Sequence, residues 1–239
     1  MKFESTLPLL VFLISVSCSV KAQHTHNTVK IVGQMKDVMW KGQLHGNIDL
    51  DTIAYKDHLY GLGPVEYLTG EILIVDGRAY KSTVVSETEM KVQETYEMKA
   101  PFFGYANIAK WAEEALPDSI QTIQHLEKYL DKISKSSPRP FMFKLSGTVA
   151  QAAIHIVNLP RGSKVSSPNE AHEGQKNYQL TNEKAEIVGF FSTSHQAIFT
   201  HHDTYLHMHL ITSDRKKMGH LDQVLFQKGT IKLYLPAAD

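Results

Sequence analysis

Tyr205-Leu206-His207-Met208-His209-Leu210-Ile211, with Gly219-His220 closing eleven residues beyond His209, is the stretch on which the reading of this chain turns. Side chains at i and i+2 of a β-strand point to one face. His207 and His209 therefore project together, while Leu206, Met208 and Leu210 turn the other way into apolar packing. The segment Thr212-Ser213-Asp214-Arg215-Lys216-Lys217-Met218-Gly219 is polar and turn-like. A turn centred on Asp214 and Arg215 sets His220 opposite His209 on the returning strand. Directly paired residues share a face at roughly 5 Å between Cβ atoms. One hairpin then converges three imidazoles, and three protein ligands with one open position is the usual layout of catalytic zinc.

The chain carries 13 histidines, so an H-x-H pair by itself says little; the third histidine at hairpin register gives it weight. His24 and His26 read as part of a solvated tail. His201 and His202 read as loop residues, with an outer role beside a metal as the alternative. The first 22 residues have the form of a secretory signal. Lys2 supplies the charge, Leu7 to Val16 the apolar core, and Val20-Lys21-Ala22 the small-x-small site before Gln23. A secreted or periplasmic protein cleaved near Ala22 is the expectation. Lipid attachment at Cys18 is the less favoured reading, because Ser15 stands where a lipoprotein signal wants an aliphatic residue. The apolar run is too short for a transmembrane segment. Cys18 is the chain's one cysteine, so after cleavage any metal must be held by nitrogen and oxygen donors. The formal net charge of zero argues against a nucleic-acid partner.

Along the chain, Met35, Val38 and Met39 suit a short helix after a first strand. Tyr60-Gly61-Leu62-Gly63-Pro64 reads as a turn. Glu71-Ile72-Leu73-Ile74-Val75 reads as a strand buried on both faces, with Asp76-Gly77 as a hairpin turn and Arg78 onward returning. Thr83 to Met98 reads as further strand. Ile120, Ile123, Leu126, Leu130 and Ile133 form one apolar stripe, which predicts a helix over Asp118–Ile133 that serves as core packing. Phe141 to Leu145 and Val149 to Val157 read as two strands, Pro160 to Gln175 as a loop or lid, and Ile187 to Phe191 and Thr230 to Leu235 as strands. The result is a sheet-rich α/β protein of mixed and antiparallel sheets with few helices. It divides into an N-terminal sheet subdomain over about 28–135 and a C-terminal metal-binding one over about 140–239.

These motifs, taken in order, resemble the alpha-acetolactate decarboxylase family over roughly residues 31–236. The resemblance rests on Gly61-Leu62-Gly63, Gly70-Glu71, Asp76-Gly77-Arg78-Ala79-Tyr80 and Ala100-Pro101-Phe102. It continues in Val188-Gly189-Phe190-Phe191, Tyr205-Leu206-His207-Met208-His209, Asp214-Arg215 and Gly219-His220. It implies a zinc-dependent, non-oxidative decarboxylation of 2-acetolactate to acetoin, two sheet-rich subdomains and a homodimer. It also implies that His207, His209 and His220 bind the zinc and that Glu71 sits in the active site. The chemistry is coherent: loss of CO2 leaves an enediolate, which a divalent cation stabilises and a carboxylic acid protonates.

Three positions depart from the family pattern. Pro64 follows Gly61-Leu62-Gly63 where the family has Thr, and it brings neither hydroxyl nor backbone donor. The family's active-site arginine falls on His155, counted without a gap from Phe141-Met142-Phe143-Lys144-Leu145-Ser146-Gly147; an imidazole is a weaker and pH-dependent carboxylate partner. Lys144 is the other candidate to bind the substrate carboxylate. Because eleven residues separate the two, strand parity sets them on opposite faces unless a bulge intervenes. The family also carries an acidic residue in a C-terminal tail that folds over the site; the sequence given stops at Leu235-Pro236-Ala237-Ala238-Asp239, so that residue is expected to be missing. Two other readings stand beside the decarboxylase. One is a catalytically weak relative that binds a small hydroxy- or keto-acid through its metal. The other is a cupin-like oxygenase using iron or manganese.

Overall fold

The structure is a computed structural model and describes residues 1, 27–135, 137–200 and 204–237. Residues 2–22 of the expected signal, with Cys18, and also His24, His26, His201 and His202 lie outside the described residues. In chain order the elements are β1 (Lys30–Val32), α1 (Met35–Lys41), β2 (Ile48–Asp49), β3 (Leu59–Pro64), β4 (Glu71–Val75), β5 (Arg78–Val84), β6 (Met90–Glu94), β7 (Lys99–Ala100), β8 (Phe103–Asn107) and β9 (Trp111–Ala115). They continue with α2 (Ile123–Ile133), β10 (Phe141–Ile156), α3 (Pro168–Ala171), β11 (Lys176–Phe191), β12 (Leu206–Thr212), β13 (Met218–Phe226) and β14 (Lys232–Pro236). Among the described residues no helix is long and apolar enough to cross a membrane.

Two six-stranded sheets carry the fold. The first has the order β1-β8-β3-β4-β5-β6, the second β11-β12-β13-β10-β14-β9. Strands β10 and β11 also pair with each other along most of their length, so β10 to β13 close into a ring. The pairings between the named strands are antiparallel throughout. The ring encloses an apolar core that includes Phe143, Leu145, Ile154, Met208, Leu210 and Leu221. Its outer face lies against the first sheet through Met142, Val188, Phe190 and Ile211, which meet Tyr60, Leu62, Leu73 and Val75. Strand β4 is therefore buried on both sides. Leu73 and Val75 face the ring, while Ile72 and Ile74 pack into a further cluster behind the first sheet.

Several sequence expectations are corrected. Gly61-Leu62-Gly63-Pro64 is strand, paired with both β4 and β8, and not a turn. The glycines serve close approach: a Cβ on Gly61 would stand 2.8 Å from the Phe103 ring, and one on Gly63 2.5 Å from the Phe102 carbonyl oxygen. Helix α2 begins at Ile123, later than the apolar stripe suggests. The Thr122 hydroxyl caps it by accepting from the His125 backbone N–H at 3.3 Å, while Asp118 accepts from the backbone N–H of Gly229. Residues 141–156 form one strand where two were expected. The segment expected as a loop or lid contains α3, capped by Ser167. Strand β9 and helix α2, expected with the N-terminal part, belong with the second sheet: β9 pairs with β14, and α2 packs Leu126 and Leu130 into the ring's core.

Candidate metal centre

The β12–β13 hairpin sets the geometry. Ser213 to Lys217 form the turn, with Arg215 in the left-handed region at φ 60° and the Asp214 carboxylate accepting from the Thr212 hydroxyl and the Lys216 N–H. That turn pairs His209 directly with His220. Because Leu206, Met208 and Leu210 fill the ring's interior, His207 and His209 face outward toward the first sheet. All three histidines are buried, and their ligand nitrogens lie within 4.8 Å of one another. The ring centroids are 5.2 Å apart for His207–His209, 5.0 Å for His207–His220 and 5.5 Å for His209–His220.

Each ring is held differently. His207 Nδ1 lies 2.7 Å from the Phe199 carbonyl oxygen; a proton on Nδ1 puts the ring's lone pair on Nε2, the usual outer support of a metal-binding imidazole. His209 is fully buried, and neither of its ring nitrogens has a partner at hydrogen-bonding geometry. Burial pushes its pKa well below the usual histidine value, with His207 and His155 adding to the effect against a small upward pull from the Ile72 backbone. His209 is thus neutral at physiological pH, the form a metal requires. A buried imidazole without a partner is costly unless something fills that role. A divalent cation accepting three imidazole nitrogens fits this donor set.

Glu71 opens β4, on the same strand face as Leu73 and Val75, and so points at the ring. It is 3% exposed. One carboxylate oxygen lies 3.6 Å from His209 Nε2; the other accepts from the Val157 N–H at 3.2 Å and lies 3.9 Å from His155 Nε2. Burial raises its pKa well above the carboxylate range, the Val157 bond opposes this, and the Asp222 charge adds to it.

His155 is brought to the site and Lys144 is not. Core-facing residues in β10 run Phe143, Leu145, Val149 and then Ala152, Ile154, and the register with β13 slips between Val149 and Gln151. This bulge puts His155 and Lys144 on the same outer face, so parity does not separate them. Position along the sheet does. Lys144 pairs with buried Val188, which stands between it and His209. Its ammonium lies over Tyr234, 4.5 Å from the ring centroid, and within 6 Å of the Tyr60 and Trp111 rings. His155 stacks on His220 with centroids 4.7 Å apart.

Asp222 is the residue that the sequence reading missed. Its carboxylate lies 2.7 Å and 2.9 Å from His155 Nδ1. A second register slip, between Ala153 and Ile154 of β10, leaves Asp222 unopposed in β13. That bulge re-aims its side chain toward His155. The i, i+2 relation to His220 was the available signal.

A cavity of about 40 Å³ lies beside the triad. Its lining includes His207, His220, Glu71 and His155 on one side. Met35, Met39 and Trp40 of α1, with Pro64, Phe102, Val157, Pro168 of α3 and His172 just after that helix, complete it.

The model of the alpha-acetolactate decarboxylase family matches residues 32–236. The chain belongs to this family. It is 21% identical to the alpha-acetolactate decarboxylase of Brevibacillus brevis over 193 residues, covering 80% of this chain but only 65% of that protein. It is 23% identical to the enzyme of Lactococcus lactis subsp. cremoris over 177 residues, 72% of this chain and 70% of the relative. The fold is that of the crystallised acetolactate decarboxylase from Bacillus subtilis subspecies spizizenii: TM-score 0.71, 19% identity, 88% of this chain and 86% of that one. A Staphylococcus aureus protein described as of unknown function and similar to alpha-acetolactate decarboxylase superposes with TM-score 0.70 at 16% identity, over 87% and 84% of the two chains.

Proposed function

We propose that this chain decarboxylates 2-acetolactate to acetoin without oxidation, using a zinc ion held by His207, His209 and His220. The observation that carries the reading is the buried triad with a carboxyl group, Glu71, against its edge, in a chain of this family. When bound, the cation supplies a Lewis acid that draws electron density from the substrate oxygens as CO2 leaves.

The protein's own groups have separate tasks. Burial raises the Glu71 pKa well above the carboxylate range, which favours its protonated form and suits it to deliver a proton to carbon after CO2 departs. The Val157 N–H fixes the carboxyl by binding one oxygen. His155, held by Asp222 through Nδ1, presents Nε2 at the same edge of the cavity. It is the group available to meet the substrate carboxylate where the family pattern has arginine. Lys144 has no part in this, because its ammonium is engaged by three aromatic rings. Pro64, Phe102 and the α1 residues give the other side of the cavity an apolar lining, a surrounding that strengthens charge interactions where it displaces water.

The test is acetoin release by chelated and zinc-reloaded protein from 2-acetolactate. Activity that returns with zinc supports the reading. Substrate binding without acetoin supports the weak-relative reading, for which Pro64 and His155 are the specific grounds. Oxygen uptake with iron or manganese supports an oxygenase. Export with cleavage near Ala22 and a homodimeric state belong to the same proposal; the N-terminus of the secreted protein and its mass by light scattering test them.

A further inference from the structure

Between β11 and β12 the chain makes a turn in which three successive carbonyls are engaged. That of Ala197 accepts from the Lys36 N–H at 2.9 Å and that of Ile198 from the Met35 N–H at 2.6 Å, so both hold the start of α1. The carbonyl oxygen of Phe199 lies 2.7 Å from His207 Nδ1. One turn thus holds a triad ligand and the helix that lines the other side of the cavity.

The turn is under constraint. Ala197 lies in the left-handed region at φ 56°, where a residue with a Cβ stays only if its surroundings hold it there. Two anchors are present. The first is the Phe199 ring, 1% exposed, which meets the Phe190 ring of β11 edge-on with centroids 5.3 Å apart. That contact fixes the side chain and leaves the direction of the carbonyl to the rest of the turn. The second anchor is His195. Its backbone carbonyl accepts from the N–H groups of Ile198, Phe199 and Thr200. Its ring Nδ1 lies 2.7 Å from the Ser192 hydroxyl and 3.2 Å from that of Ser194. Ser192 is fully buried just past the end of β11, and its own N–H is bound by the Tyr205 carbonyl immediately before β12. His195 therefore ties the turn to the strand that pairs with β12, on which His207 stands.

We propose that His195 is a positioning residue for the metal centre: its hydrogen bond to Ser192 fixes the turn over 197–199, and the turn orients His207 through the Phe199 carbonyl. This rests on the metal reading of the triad and on no other part of the decarboxylase reading. A carbonyl can only accept, so its bond keeps the His207 proton on Nδ1 and leaves Nε2 to bind the metal. Loss of such outer support lowers metal affinity by about 10- to 100-fold.

Zinc affinity, measured on metal-free protein by competition with a chromophoric chelator, tests this, with acetoin release and the Tm of the metal-free form followed on the same samples. His195→Ala should bind zinc about tenfold or more weakly. Ser192→Ala combined with Ser194→Ala removes both hydroxyls and leaves the His195 ring against Phe199. It should weaken zinc in the same way, and it carries the test if His195→Ala fails to fold. His195→Asn, whose amide can still meet Ser192, should recover most of the affinity. Nitrogen-15 spectra of the zinc-loaded unmodified protein should show the His207 proton on Nδ1. Unchanged affinity in the folded variants, a loss in His195→Asn as large as in His195→Ala, or a His207 proton on Nε2 overturns the positioning role. Each of these, in a protein that binds zinc and releases acetoin, leaves the metal reading standing. An unmodified protein that takes up no zinc overturns the metal reading and the proposal with it.

Discussion

Glu71 has almost no water around it, and that fixes what its substitution should do. A carboxyl whose pKa is raised by folding binds its proton more tightly in the folded protein than in the unfolded chain. Its contribution to stability is therefore complete below the ordinary carboxylate range and is lost as pH rises toward the folded value. In chelator-treated protein, Glu71→Gln should melt with the unmodified protein below about pH 4 and at a progressively higher relative Tm toward neutrality. A difference that stays constant with pH, or that reverses, contradicts the burial account. The same variant should lose about 10²- to 10⁴-fold in turnover if Glu71 delivers the proton. His209 offers a complementary test by elemental analysis. His209→Ala removes a buried ligand and should abolish stoichiometric metal, whereas His58→Ala, at an exposed pair with Asp76, should leave metal content unchanged.

At the scale of elements, β3 shows what composition conceals. Gly-Leu-Gly-Pro has the residues of a turn, yet it runs through the first sheet because Phe103 and the Phe102 backbone come too close for any side chain. Gly61→Ala should destabilise by roughly 1–3 kcal/mol, read from denaturant midpoints; a change under about 0.5 kcal/mol would mean that the Phe103 ring moves aside freely. The hairpin, by contrast, was legible. Period-two alternation over Leu206–Ile211 and a polar turn of the right length leave one register that joins His209 to His220, and burial enforces it. What the sequence concealed lies at the two β-bulges. The slip near Val149 puts Lys144 and His155 on one face, and the slip at Asp222 swings a carboxylate onto His155. A bulge is one residue out of step, and nothing in the local pattern of β10 or β13 marks it. The start of α2 was misjudged for a related reason: the apolar stripe includes Ile120, but the cap that begins the helix is Thr122.

Over the whole molecule, the candidate centre lies where the two sheets meet. The three histidines come from the ring and Glu71 from the facing sheet, so a cation bound there would be enclosed by both. A ligand that binds only the folded state stabilises it by mass action, by about 4 kcal/mol at a thousandfold excess over Kd. Zinc removal should therefore lower Tm by several degrees, reversibly, and His209→Ala should melt at the same temperature with and without zinc. The central claim is that His207, His209 and His220 hold one divalent ion. X-ray absorption at the edge of the metal that the purified protein carries tests it most directly. The account predicts about one metal per chain, with nitrogen or oxygen neighbours at about 2.0–2.1 Å if it is zinc and the outer-shell scattering of three imidazoles, lost in His209→Ala. Protein that takes up no stoichiometric metal, or a coordination shell without imidazole, would contradict it.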